Sequence, residues 1–155
     1  MLTADRPIDV AAVAASLGRH LEFYRRKTPY YQTEMLNGLG AVWRGRHQRV
    51  LDVGGGTGVI AQCIRDLLPA GSVDTVDVVD RFCKTLDVRT SVFDGCELPF
   101  PDRTFDATTI NNVVHHVPLD KRVALFREMR RVSTGPLYIK DHEAASRLDH
   151  LRLAI

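Results

Sequence analysis

The segment Val50-Leu51-Asp52-Val53-Gly54-Gly55-Gly56-Thr57-Gly58 carries the clearest chemical signal in the chain. Its apolar start reads as a buried strand. Its glycines let the backbone approach a ligand where side chains would block it. Ile60, Ile64, Leu67 and Leu68 then recur at helical spacing, so a helix N-terminus opens directly behind the loop. A dinucleotide fingerprint, G-x-G-x-x-G, needs its third glycine at position 59. That position is Val59, and the glycines fall at 54, 56 and 58, behind Asp52. Asp77 closes the next apolar run, Val73-Asp74-Thr75-Val76-Asp77. A carboxylate at a strand end can accept both hydroxyls of a ribose diol. Asp80 is the rival for that role, and a solvated strand-end aspartate is the plainer alternative.

Two later stretches stand at matching distances. Phe93-Asp94-Gly95-Cys96-Glu97-Leu98-Pro99-Phe100-Pro101-Asp102 precedes Phe105-Asp106, and Asn111-Asn112-Val113-Val114-His115-His116-Val117-Pro118 follows the fourth apolar run. Together with the D-x-G-x-G-x-G loop, these resemble the class I S-adenosylmethionine-dependent methyltransferases over about Val50 to His142. Within that family the likeness is greatest to small-molecule enzymes related to the group that includes the ubiquinone-pathway enzymes. The resemblance implies S-adenosyl-L-methionine as cofactor. It implies that Gly54, Gly56 and Gly58 admit the methionine part and adjoining ribose, and that Asp77 holds the ribose hydroxyls. Asp94, with Gly95, would face the adenine edge and Asn111 would form the near wall. Asp52 would order the glycine loop and approach the methionine amino group.

Methyl transfer from a sulfonium is an in-line displacement with an activated leaving group. The protein must align the acceptor, exclude water and, for some acceptors, remove a proton. His116, beside His115, follows strand four. Asp141 and His142, in Lys140-Asp141-His142, follow strand five. These are the candidate bases, against the plainer reading that they cap, pack or touch cofactor. Tyr30 and Tyr31 are candidates for a lid or for packing. Arg44, Arg46 and Arg49 are candidates for an anion contact or a solvated linker.

The elements that must position these groups alternate strand and helix, which predicts a parallel sheet covered on both faces. The expected fold is α/β, and the resemblance implies a Rossmann-like sheet with strand order 3-2-1-4-5. Strands are expected at Val50–Val53, Val73–Val79, Val88–Phe93, Phe105–Ile110 and Leu137–Ile139. Helices are expected behind the glycine loop, over Pro118–Val132 with Leu119, Val123, Phe126 and Met129 inward, and from Ala144 onward. Only Val78–Asp87 separate Asp77 from Val88, so that crossover is either a loop or a sign of shifted boundaries. Residues 1–46 read as a helical cap. One helix carries Val10 to Tyr24 and ends in Arg25, Arg26 and Lys27; a second is capped by Thr28 and stopped by Asn37, Gly38 and Gly40. Residues 47–155 read as the methyltransferase domain. The family's strands six and seven have no sequence to occupy after His142, so a truncated chain is expected.

Composition bounds the rest. With 155 residues, 45% apolar and a net charge of +2, the chain suits one globular domain and gives no reason to expect nucleic-acid binding. No stretch approaches the roughly 20 apolar residues of a membrane helix, and no secretory signal pattern is visible. Cys63, Cys83 and Cys96 form no metal-ligand spacing, so no metal is expected; they read as reduced thiols in a cytoplasmic protein. The expected partner is a small-molecule acceptor, with the oligomeric state left open. Two rivals stand beside this: a nicotinamide-dependent oxidoreductase, disfavoured by Val59, and a non-catalytic S-adenosylmethionine-binding domain.

Overall fold

The structure, a computed structural model, describes residues 7–141. His142 and the helix expected from Ala144 lie outside the described residues. Five parallel strands form one sheet: β1 (His47–Val53), β2 (Ala70–Asp77), β3 (Arg89–Val92), β4 (Ala107–Asn111) and β5 (Leu137–Lys140). Their order is β3-β2-β1-β4-β5, the order expected from the sequence. In the register, Val53 stands opposite Val76 on β2 and Ile110 on β4. The carboxyl ends of these three central strands therefore open at one level, where doubly wound sheets bind ligands.

Successive β1 side chains enter opposite cores, as strand geometry requires. Val50 joins Val13, Leu17, Leu36, Leu39, Trp43 and Ile64 on one face. Leu51 joins Leu98, Phe105, Ile110, Leu125 and Met129 on the other. The first face is covered by α1 (Val10–Gly18), α2 (Tyr30–Val42) and α3 (Val59–Leu67), and the second by α4 (Leu119–Arg131). Because β1 is covered on both sides, its end, Val50-Leu51-Asp52-Val53, is buried throughout and apolar except for Asp52.

Several boundaries differ from the sequence expectation. β1 starts at His47 rather than Val50; its first turn of pairing carries exposed Gln48 and Arg49, which read as linker. The first helix stops at Gly18, and the chain re-forms as a short 3-10 turn over Glu22–Arg25. Arg25 still serves the helix end, donating from Nε to the Gly18 carbonyl at 3.0 Å. Thr28 does not cap α2; Pro29 precedes the helix and its carbonyl accepts from Thr33. The helix also runs through Gly38 and Gly40 to Val42, because Leu39 and Trp43 are buried beyond them. A β-carbon at Gly40 would make ordinary contact with the Leu68 side chain at 3.5 Å, so neither glycine is a steric stop signal here.

β2 ends at Asp77, leaving Val78 and Val79 exposed. The short connection to β3 is a loop without a helix, pinned by buried Phe82 and by a Cys83 N–H to Thr57 carbonyl bond of 3.0 Å. On α4 the inward residues are Leu125 and Met129, continued by Val132, while Leu119 and Val123 are 77% and 58% exposed. Both phases satisfy an apolar i, i+4 pattern; contact with β4 and Phe105 selects the second.

Candidate functional site: a cleft over the strand ends

The glycine loop is held to β2 by backbone bonds. The Gly54 and Gly55 amides donate to the Val76 carbonyl at 2.8 and 2.9 Å. The Gly56 amide donates to Asp77 Oδ2 at 2.7 Å, and Val79 N–H donates to Asp77 Oδ1 at 3.1 Å. Asp77 is thus fixed at the strand end, 5% exposed, while Asp80 is exposed and away from the cleft lining.

Each glycine has its own reason. Gly54, at φ +76, could not carry a β-carbon without meeting Val113 at 2.5 Å. Gly55 lies outside the 54, 56, 58 spacing, yet a β-carbon there would collide with Thr75 Oγ1 and stand 3.1 Å from Asp52 Oδ2. The signal for it in the sequence is its place in the middle of three consecutive glycines, Gly54-Gly55-Gly56. Gly56, at φ +58, has nothing within 4 Å of its β-carbon position, because that position faces the cleft. Gly58 is buried before α3 and lines neither of the two cavities at this loop; its space is limited by Leu86 and Phe82.

Two cavities meet at this loop. A cleft of about 620 Å³ has Gly54, Gly56, Asp77, Asp94, Gly95 and His116 in its walls. Val78, Phe93, Val113 and Val117 add apolar surface there, and Arg81 and Lys121 add cations. These six were not singled out from the sequence, since only the fold brings them to one opening. A narrower pocket of about 150 Å³ is lined by Tyr31, Met35, Asp52, Gly54, Asn111 and Asn112, among others. Gly54 and Asn112 belong to both, so they mark the junction.

Asp52 lies on the pocket floor, 2% exposed. Its carboxylate accepts from Thr75 Oγ1 and Asn111 Nδ2, both at 3.2 Å. Burial pushes its pKa up to about 7 against the pull of those two bonds, and the nearby Asp77 carboxylate adds to the rise. Asn111 Oδ1 is buried with no hydrogen-bond partner among the described residues. Asp94 is exposed, and its Oδ1 accepts the Cys96 and Glu97 amides at 2.8 and 2.9 Å. Those amides, Glu97 first, hold its carboxyl below the usual range.

The candidate bases separate. His116 is exposed on the cleft wall. Asp141 is not beside it but pairs with His115: Oδ1 stands 2.5 Å from His115 Nδ1, and Oδ2 accepts the His115 amide at 3.2 Å. Tyr31, on α2, reaches the ammonium of Lys140 through its hydroxyl at 3.0 Å. Among the described residues no cluster of three His, Cys, Asp or Glu side chains could hold a metal ion.

The parallel sheet and glycine-loop cleft define a Rossmann-like nucleotide-binding class. Residues 50–134, more than half of the chain, match the family model of the methyltransferase domain, and the chain belongs to that family. The demethylmenaquinone methyltransferase of Corynebacterium glutamicum strain R is 31% identical over 142 residues, covering 82% of this chain and 56% of the relative. The chain thus spans little more than half the length of this curated relative. A crystal structure of a Pyrococcus horikoshii protein superposes with a TM-score of 0.68 at 22% identity, covering 84% of this chain and 66% of that one. The Haemonchus contortus phosphoethanolamine N-methyltransferase 2, in complex with S-adenosyl-L-methionine, superposes with a TM-score of 0.59 at 20% identity, covering 94% of this chain and 36% of that one.

Proposed function

We propose that the chain binds S-adenosyl-L-methionine in the cleft and transfers its methyl group to a small-molecule acceptor. The observation behind this is the convergence of Gly54, Gly56, Asp77 and Asp94 on one opening that meets a narrower pocket at Gly54. Asp77 would take the ribose hydroxyls, and the Asp94–Gly95 turn the adenine edge, between Val78, Phe93 and Val113. Gly54 and Gly56 leave backbone room for the ribose and amino-acid end, and Gly58 sets the turn into α3. Asp52 and the unpartnered Asn111 Oδ1 offer acceptors for an ammonium, which fits an α-amino group. The cofactor supplies an activated methyl on sulfur; the chain's part is to orient it, exclude water and seat the acceptor.

Residues 1–46 act in this proposal as a cap over residues 47–155, with Tyr31 and Met35 closing the narrow pocket. His116 on the cleft wall and the His115–Asp141 pair are the proton-handling candidates. No helix among the described residues is long and apolar enough to cross a membrane. With three free cysteines, a cytoplasmic location is the proposed one.

Calorimetry with S-adenosylhomocysteine, S-adenosylmethionine and NAD tests this. Micromolar binding of the first two and none of NAD is expected. Binding of NAD alone would restore the oxidoreductase reading. Cofactor binding with no methyl transfer to any acceptor would favour a binding domain without catalysis.

A further inference from the structure

We propose that Lys140 is the anion-recognising residue of the acceptor site, and that the acceptor presents an acidic hydroxyl, of phenol or enol type, ionised at the rim where Tyr31, Asn112 and Lys140 meet. This rests on the methyl-transfer function proposed above.

Lys140 Nζ donates to Asn112 Oδ1 at 2.7 Å and to Tyr31 Oη at 3.0 Å, and stands 4.9 Å from the centre of the Tyr31 ring. Its oxygen partners are both neutral, and an ammonium carries three donors. None of the ion pairs among the described residues includes Lys140. The carboxylate next in the chain, Asp141, faces His115. A lysine side chain ordinarily sweeps through solvent; this one is fixed by groups from α2 and the end of β4, with its charge uncompensated by them.

The position matters as much as the charge. Tyr31 and Asn112 line the narrow pocket, and Asn112 also lines the cleft. With the adenosine end between Asp77 and Asp94, and the amino-acid end against Asp52 and the glycine loop, the transferable methyl falls at the junction marked by Gly54 and Asn112. An acceptor then approaches from the β5 side. β5 lies two strands from β1, about 10 Å at the usual strand spacing, so Lys140 stands beyond the glycine loop's own reach. Among the described residues, the titratable groups beside this rim include Tyr31, His115 and Asp141, with Asp52 on the pocket floor.

An amine acceptor in its ammonium form would face both the sulfonium and Lys140, two like charges. A phenolate or enolate is attracted to both. An opposite charge at this range favours the ionised form, so the hydroxyl proton passes to solvent on binding. The oxygen lone pair then forms the new C–O bond as the C–S bond breaks, its electron pair stays on sulfur, and the sulfonium becomes a neutral thioether.

The test uses 4-nitrophenol, whose ionised form absorbs in the visible, titrated against the chain saturated with S-adenosylhomocysteine. Its ionisation midpoint is expected to fall by about one pH unit on binding, and 4-nitrobenzylamine is expected not to bind. Lys140→Met should abolish the shift while leaving homocysteine-cofactor affinity and the thermal midpoint within error; Lys140→Arg should retain part of it. The inference is overturned by an unshifted midpoint, by failure of the phenol to bind, or by a shift that survives in Lys140→Met. It is equally overturned if Lys140→Met weakens cofactor affinity, which would give the ammonium to the cofactor's own carboxylate. Failure of the wild-type chain to bind S-adenosylhomocysteine would be a different result: it would sink the methyl-transfer function itself, and this inference with it.

Discussion

Asp77 Oδ2 accepts the Gly56 amide at 2.7 Å, so the acid at the end of β2 and the loop at the end of β1 form one rigid unit before any ligand arrives. With the Val79 amide on Oδ1 at 3.1 Å, each carboxylate oxygen takes one backbone amide and keeps further acceptor capacity at the cleft wall. The bond to Gly56 also explains why an acid is useful at this point even without a ribose: it satisfies a loop amide that no strand can pair.

Asp77→Ala is expected to weaken cofactor binding by roughly 1.5–3 kcal/mol, the range for hydrogen bonds to a charged group. Asp80→Ala should change it by much less, since Asp80 is exposed and outside the cleft lining. Calorimetry on both variants checks the ranking, and the reverse order would mean that Asp80 holds the ligand.

The two neighbouring glycines should fail in different assays. Gly55→Ala forces a methyl group against Thr75 Oγ1 and Asp52 Oδ2, and overpacking of that kind costs about 1–3 kcal/mol of stability. Gly56→Val keeps its β-carbon clear of the protein and carries only the left-handed backbone cost of about 1–2 kcal/mol, but it fills the cleft. Thermal melts should drop further for Gly55→Ala. Cofactor affinity should be abolished in Gly56→Val while its fold persists.

The buried carboxyl of Asp52 predicts a pH dependence of the ligand-free chain. Its folded pKa, about 7, lies above the unfolded value near 3.8, so the folded state binds the extra proton between them. The destabilisation is full above pH 7 and is relieved as pH falls toward 4. Asp52→Asn keeps both hydrogen-bond partners in reach and removes the charge. It should raise the melting temperature at pH 8 and do little at pH 5; equal effects at both would place the titration elsewhere.

His47 works in the opposite direction. Burial lowers its pKa, against a smaller raising influence from Asp106. Its Nε2 bonds the Tyr138 hydroxyl at 2.9 Å, which also accepts the Arg44 amide, while Trp43 stacks on the Tyr138 ring. With the folded pKa below the unfolded value of about 6.5, its contribution is full above that pH and is lost as pH falls below it. Trp43, the sole tryptophan, reports on this cluster by fluorescence. His47→Gln should flatten the acid limb of its melting curve; an unchanged limb would exclude His47 as its source.

Arg131 ties down the loop after Asp94. It donates to the Leu98 and Phe100 carbonyls at 3.0 and 2.9 Å and pairs with Glu128 and Asp102. Arg131→Met leaves those carbonyls without their donor, an expected loss of about 1–3 kcal/mol. Amide exchange should accelerate across 94–105; protection equal to wild type would show that the turn holds itself.

What the residue pattern carried was local. The 54, 56, 58 glycine spacing, the acids closing apolar runs and the alternation of strand with helix pointed to the family resemblance, and through it to the sheet order and to Gly54, Gly56, Asp77, Asp94, Gly95 and His116 of the cleft lining, because each signal depends on neighbours a few positions apart. Boundaries went astray where burial overrode local preference: Gly38 and Gly40 sit inside α2, and α4 turns Leu125 inward rather than Leu119. Long-range partners were not legible. Lys140 meets Tyr31 across 109 positions, Asp141 chooses His115 over His116, and Gly55 is required by Thr75 on another strand. Such pairings follow from how strands register and helices cross, and one-dimensional spacing holds no measure of either.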